Sequence, residues 1–334
     1  MAKNYNLSKE YQFDIDVQQN TYAGKLALPY VTAAVKSLDT VAKGYVRVID
    51  GLNSKAVVSN LGFASGVVVA GGTSNCGFSS SNDTQLKEQV LTLTDLKVNE
   101  EICRASIFPT WIGENMDRNG NLPGTFEDFL LASVAAKAGE DIENGIWRSS
   151  AIFGTGFQST DGTLSEAQAD LSACKDFTEV DFTTNGGVIA DSNILDILGS
   201  TYESAVSNNP GLVGKNGFGF YMNAKTYGIY MLALAKAGSN QGINMLGAAQ
   251  DLTGLTYYGY PIYVCPGMFN DTIIATYPDN LVFGTNLATD YTEARIIPTY
   301  QYDGSDNVRV VMNFAIGVQT AVATDGVFAA SIWT

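Results

Sequence analysis

The clearest periodicity in the chain runs from Phe126 to Trp147. Phe126, Leu130, Val134, Ala138, Ile142 and Ile146 recur at every fourth residue, flanked by Phe129, Ala132, Ala136 and Trp147. That spacing predicts one amphipathic helix over residues 125–147, about 33 Å long at ~1.5 Å per residue. Pro123-Gly124 stops what precedes it. Thr125 is a good N-cap, Asp128 completes a capping-box-like pair, and Glu127 and Asp128 place negative charge at the positive end of the helix dipole. The opposite face carries Ser133, Lys137, Glu140, Asp141 and Glu143, which reads as a solvated side with nothing placed for chemistry. The helix reads as a strut.

Elsewhere the pattern alternates between short strands and shorter helices. Leu28, Val31, Ala34, Val35 and Leu38 predict a short helix after Pro29, and residues 45–49 a strand ended by Asp50-Gly51. Residues 55–58, 66–70 and 85–94 read as strands around a Gly-, Ser- and Asn-rich tip at 71–83. Together they describe a long two-stranded excursion, which is marginally stable alone in water and needs another surface to lie on. Leu96–Cys103 leads back towards Trp111 and the strut. Residues 149–190 read as Gly-, Ser- and Thr-rich surface loop. A second helix runs from Asn193 to about Val206, capped by Asp191 or Ser192. Gly217–Met222 is a buried strand, and Ala224–Ala237 a third helix stopped by Gly238. Residues 255–258 and 261–265 pair around Gly259. Strands at 273–276 and 281–283 follow, then a hairpin of 294–302 with 307–322 turned at Asp303–Asp306. Hydrophobic Val327–Trp333 closes the chain and should be packed.

Composition narrows the functional classes. The 334 residues carry a net charge of −15, and no basic patch of a free nucleic-acid binder stands out. Residues 1–55 are mildly basic, with seven basic side chains against five acidic ones, and read as a solvated arm able to lie across acidic neighbours. There is no histidine, which removes the commonest general base and metal ligand. Cys76, Cys103, Cys174 and Cys265 lack CxxC spacing, so they read as reduced, buried thiols in a cytoplasmic product without a signal peptide. The apolar runs are too short for a membrane-spanning helix.

Candidate chemistry is sparse. The acidic pairs Asp14/Asp16, Glu100/Glu101, Glu127/Asp128 and Glu140/Asp141 could suggest a glycosidase, but adjacent acids are far more often a solvated face. Asp117–Asn121 echoes a calcium loop without its terminal glutamate and reads as a plain turn. The GxG within GTGFQSTDGT lacks the rest of a phosphate-binding fingerprint. Tyr257, Tyr258, Tyr260 and Tyr263 could line a carbohydrate groove, although strand aromatics more often serve core and interface. No catalytic, cofactor-binding or metal residue is assigned, and the chain reads as no enzyme.

The order of parts resembles the major capsid protein of tailed bacteriophages, with the Hong Kong 97-type fold of the α+β class. GFGFYMNAKTYGIYMLALAKAG resembles that family's strand-then-helix segment. LTYYGYPIYVCPGM resembles its glycine–aromatic–proline–aliphatic strand, and PDNLVFGTNLATDYTEARI the exit from the axial domain. GIW at 145–147 resembles the end of the spine helix, and LTLTDLKVNEEICRASIFPTW the return path of the extended loop, which is also similar to capsid proteins of crAss-like phages. The resemblance implies an N-terminal arm at 1–50, an extended two-stranded loop at 51–107 and a peripheral domain at 108–190 with its spine helix at 125–147. An axial domain at 191–280 and return strands of the peripheral domain at 281–334 complete it. It further implies hexamers and pentamers closing an icosahedral shell around weakly contacted double-stranded DNA. Portal and minor capsid or decoration proteins would be partners, with assembly in the host cytoplasm, location in the virion and no membrane. Some relatives weld subunits through a lysine–asparagine bond; Lys55 and Lys87 lie in the excursion, but no residue marks a partner. The rival readings are an encapsulin-like nanocompartment shell, a decoration or tail-tube protein, and a carbohydrate-active enzyme.

Overall fold

The computed structural model of the chain describes residues 20–23, 39–63, 84–103, 126–150, 152–158, 173–183, 187–236, 255–286, 293–299, 302, 304–305, 307–322 and 324–330. The sequence-based expectations for the helix before Leu38, the strand at 66–70, the tip at 71–83, Trp111, the turn at 117–121, the Thr125 cap and Gly238 lie outside these residues.

The expected strut is a single helix, α2 (Phe126–Trp147), following the short α1 (Asp39–Ala42). Leu130, Val134, Ala138, Ile142 and Ile146 are buried, as the fourfold spacing requires. Each buried Leu, Val or Ile contributes about 1.5–3 kcal/mol, so this stripe fixes the helix. A second row is buried as well: Ala135, Gly139, Glu143 and Trp147. Glu143 therefore departs from the solvated face expected of it. Ser133, Lys137, Glu140 and Asp141 do remain exposed, with Lys137 Nζ 2.7 Å from Glu140 and 3.8 Å from Asp141. The last carbonyls of α2 are not left open. Phe157 and Gln158 donate their backbone N–H groups to Ile146 and Trp147, which satisfies the helix end.

Two six-stranded sheets flank this helix. In the first, β1 (Asn20–Ala23), β12 (Glu293–Pro298), β13 (Asn307–Thr320), β11 (Leu281–Thr285) and β2 (Arg47–Ile49) are neighbours in that order, and β5 (Thr94–Cys103) also pairs with β13. The strand β13 organises the sheet. It runs antiparallel to β5 over ten positions, from Thr94 opposite Ile316 to Cys103 opposite Asn307, and to β12 and β11 in succession. Val308, Val310, Met312 and Phe314 face the core, while Arg309 is exposed; from Ala315 to Val318 every residue is buried. The switch from alternation to continuous burial marks where a second layer covers the sheet.

The second sheet runs β6 (Thr178–Asp181), β14 (Val327–Ala330), β10 (Thr272–Thr276), β7 (Gly219–Met222), β9 (Tyr260–Val264) and β8 (Thr256–Tyr257). Its two faces feed two cores. Phe220, Met222, Ile273, Ala275, Val327 and Ala329 pack under α3 (Ile194–Asn208) and α5 (Ala224–Lys236), which the one-turn α4 (Pro210–Val213) separates in the chain. Tyr221, Ile274, Phe328 and Ala330 turn the other way, onto α2 and the first sheet. With both faces covered, β7, β10 and β14 are buried at every position, which is why they read as short apolar runs. β6 and β14 pair in parallel although about 150 residues separate them in the chain.

Two local expectations change. The residue preceding α3 is Asn193, whose Oδ1 accepts from Ala190 N–H; Asp191 instead forms an ion pair with Lys236 of α5. Cys174 and Cys265 are buried, but Cys103, at the end of β5, is exposed.

Trp147 joins these layers. It is fully buried, its ring centroid lies 5.2 Å from Phe157 and 6.1 Å from Tyr221, and Nε1 donates to Thr40 Oγ1 at 3.0 Å. Replacing it by Ala should remove about 3–5 kcal/mol of stability, read as a lower urea midpoint of the unassembled chain. A loss under about 1 kcal/mol would mean that the junction is not part of the cooperative core.

Candidate assembly surfaces

β3 (Lys55–Phe63) and β4 (Thr84–Thr92) form a sheet of two strands, with Lys55 opposite Thr92 and Phe63 opposite Thr84. Opposed residues of an antiparallel pair share a face. Val57/Val90 therefore lie on one face with Ser59/Glu88, which Leu86 shares, and Ala56/Leu91 and Val58/Gln89 lie on the other with Lys87. Val57 is 58% exposed, Leu86 59% and Val90 48%. A ribbon with an uncovered apolar face is unstable alone and invites pairing with another chain.

The root of the ribbon is clamped. Leu91 is fully buried and sits over Gly284, whose cross-strand partner Gly317 lies against the Thr92–Leu93 backbone. A Cβ on Gly284 would collide with the Leu91 and Leu52 side chains, and one on Gly317 with the Thr92 carbonyl. The two glycines thus make a flat floor on which β4 crosses the sheet. Backbone bonds finish the joint: Leu93 N–H donates to Ser54 O at 2.9 Å, and Leu52 N–H to Thr285 O at 3.1 Å.

A cleft of about 640 Å³ lies between β5 and α2. Leu96, Val98, Val134, Ile142 and Phe314 line it, with Lys97, Glu100, Lys137 and Asp141 also on its walls.

At the edge of the second sheet, β8 and β9 are joined by Tyr258 (φ 48°) and Gly259 (φ 84°). A bulky residue rarely adopts that conformation. The Tyr258 ring lies 4.6 Å from Tyr257 and 5.4 Å from Tyr202, yet the residue stays 71% exposed. The other tyrosines of the stretch are structural. Tyr257 donates to Leu195 O, Tyr260 packs edge-on against Phe218, and Tyr263 donates to Gly217 O while packing on Tyr221 and Tyr45. Burial pushes the hydroxyl of Tyr221 well up and that of Tyr230 up to about 12, so both stay neutral hydrogen-bond donors.

The paired acids do not converge on a site. Glu101 binds Arg309 Nε and Asn307 across the β5–β13 pair, while its neighbour Glu100 lines the cleft. Glu140 and Asp141 share Lys137. Asp14, Asp16 and the side chains of Glu127 and Asp128 lie outside the described residues. Lys55 and Lys87 are exposed on the ribbon. Among the described residues no group of three or more Cys, Asp or Glu could hold a metal ion, and no helix is long and apolar enough to cross a membrane. Burial raises the thiols of Cys174 and Cys265, keeping them protonated and unreactive.

Sequence reasoning missed one group: Glu143, only 6% exposed. Its carboxylate accepts from Thr40 N–H at 3.3 Å and from the Thr40 hydroxyl. The available signal was its i±4 neighbours, Gly139 and Trp147, neither of which belongs on a solvated stripe.

The glycine floor can be tested by substitution. Gly317→Ala meets backbone and should destabilise the chain by about 3 kcal/mol, whereas Gly284→Ala meets movable leucine side chains and should cost nearer 1. Equal, near-zero losses in urea titrations would contradict the seating of Leu91.

No model of a known protein family matches the chain, and no curated protein sequence matches it. Solved structures do. The capsid of a native GTA particle superimposes with a TM-score of 0.55 at 15% identity, over 99% of this chain and 100% of that one. The procapsid of satellite phage P4, which includes a size-determination protein, gives 0.53 at 11% identity, over 92% and 99%. The capsid of Myoviridae phage XM1 gives 0.52 at 10% identity, over 88% and 92%. The long helix, the two sheets and the projecting ribbon are thus one arrangement from end to end, and the chain has the α+β, Hong Kong 97-type fold of phage capsid proteins.

Proposed function

We propose that the chain is the major capsid protein of a tailed phage, a structural subunit and not an enzyme. Copies assemble into hexamers and pentamers and close an icosahedral shell around double-stranded DNA. The observation that carries this reading is the ribbon. It projects from a fold shared along nearly its whole length with capsid subunits, and its apolar face at Val57, Leu86 and Val90 is uncovered within its own chain. A second copy supplies the cover. In a closed assembly each copy gives one ribbon and receives one, so the exposed face disappears everywhere at once.

The division of labour we propose is an arm at 1–50, the ribbon with its return path at 51–107, a peripheral part at 108–190 and 281–334, and an axial part at 191–280, to whose sheet β6 and β14 of the peripheral ranges also contribute. The net charge of −15 suits a wall that contacts packed DNA weakly. Portal and decoration proteins would complete the particle, which is built in the host cytoplasm and becomes the virion.

The test is assembly. The purified chain should form closed particles of uniform diameter in negative-stain images. The Val57→Lys/Leu86→Lys variant should keep its far-ultraviolet circular dichroism and its urea midpoint within about 1 kcal/mol, because both positions are exposed in the single chain, and should yield no shells. A wild-type chain that stays monomeric, or a variant that assembles as well as wild type, contradicts the proposal. Shells filled with protein and lacking nuclease-protected DNA would identify a nanocompartment instead.

A further inference from the structure

The segment Asp39–Ile49 joins the body of the chain through the buried Val46, through Val41 and Tyr45 packed against the same core, and through a small set of polar contacts. β2 pairs in parallel with three residues of β11, Tyr221 donates to Tyr45 O at 2.9 Å, and Thr40 meets α2. The Thr40 contact is unusual in its chemistry. Its hydroxyl is a hub, fully buried, accepting from Trp147 Nε1–H and donating to Glu143. Glu143 comes from the middle of a buried helical row, and the chain at Gly267 closes over it so tightly that a Cβ there would collide with the Glu143 carbonyl. Among the described residues no lysine or arginine forms an ion pair with this carboxylate. Lys43, the lysine of this segment, lies 3.5 Å from Asp39 on α1.

We infer that Glu143 is a proton-operated latch, which when neutral holds Asp39–Ile49 against the long helix and when charged loosens it. The hydrogen bonds can be followed through both states. Charged, the carboxylate has the Thr40 donors and Trp147 beside it but no compensating cation, and it is almost wholly buried, which is costly. Neutral, its own O–H donates to Thr40 Oγ1, and the Thr40 hydroxyl proton turns to Cys265 Sγ, which stands within its reach. Every polar atom then has a partner and no charge is buried.

The surrounding charges act in the same sense. From α1, Asp39 opposes a negative charge on Glu143. The Cys265 thiol, following β9, is buried and neutral, and Trp147 and Thr40 are the groups that favour the charged form. Arg148, at the helix end, is bound to the carbonyls of Gly267 and Met268. Burial is the largest influence, and it raises the Glu143 carboxyl above the usual carboxylate range. The docked segment therefore binds the proton more tightly than the undocked one. Docking is strongest below the ordinary carboxylate value and weakens as pH rises through the raised one. Between those two values the docked-to-undocked ratio falls about tenfold per pH unit. This device acts on the single chain and holds whatever the chain assembles into.

The test is amide hydrogen exchange on the full, unassembled chain from pH 5 to pH 8.5, with rates divided by the intrinsic rate at each pH. Protection of the peptide spanning 39–46 should fall as pH rises across the range, while protection of α3 (194–208) stays level. In Glu143→Gln, which keeps the shape and cannot ionise, protection of 39–46 should be independent of pH and no lower than that of wild type at pH 5. A level wild-type profile overturns the latch, and that reading stands even if the variant does not fold. A profile that persists in Glu143→Gln, or one shared equally by α3, overturns it as well.

Discussion

A ribbon of two strands buries too little of itself to hold its shape in water. Much else in the chain follows from having such a ribbon with an apolar face. Its root must be seated firmly, and here that seat is a pair of glycines brought side by side by the register of β11 and β13. The strand β5 that continues from it must be rigid, and it is hydrogen-bonded along its whole length to β13. The face itself must be covered, and a second copy of the chain is the cover proposed. A rigid base with an unfinished extension is what a subunit of a closed shell needs.

The long helix serves the same end. α2 packs one stripe against the first sheet and the buried face of the second, so the two sheets share one core and not two separate ones. Trp147 and Gly267 close that junction, with the Gly267 backbone lying directly on the helix. Thr40 then ties α1 to the same point. The chemistry at this junction is an unpaired buried carboxylate, which stabilises less than an apolar side chain of the same size would. Its burial at a structural joint, hydrogen-bonded to Thr40 and with no ion-pair partner among the described residues, is the physical ground for reading it as a switch.

Legibility in the sequence followed physical lines. α2, α3 and α5 were readable because one face of each is apolar at helical spacing. The strands of the ribbon were readable from their composition and from the Gly- and Ser-rich stretch between them. Partner choice was not, because nothing local in Thr94–Cys103 says that it pairs with a strand more than 200 residues away. The significance of Gly284 and Gly317 was equally hidden, since each is an ordinary strand glycine until the register places them together. In the run Asp191-Ser192-Asn193 any residue could precede the helix; the fold puts Asn193 there and Asp191 against Lys236 of a distant helix. Glu143 was misplaced because a carboxylate beside an apolar stripe is usually solvated; only the fold supplies Thr40.

The central claim is that the ribbon's apolar face is completed by another copy, and amide exchange in β3 and β4 tests it most directly. Residues 55–63 and 84–92 should exchange rapidly in the dispersed subunit and become strongly protected in assembled particles, while β13 stays protected in both. Equal protection of the ribbon in subunit and particle would contradict the account.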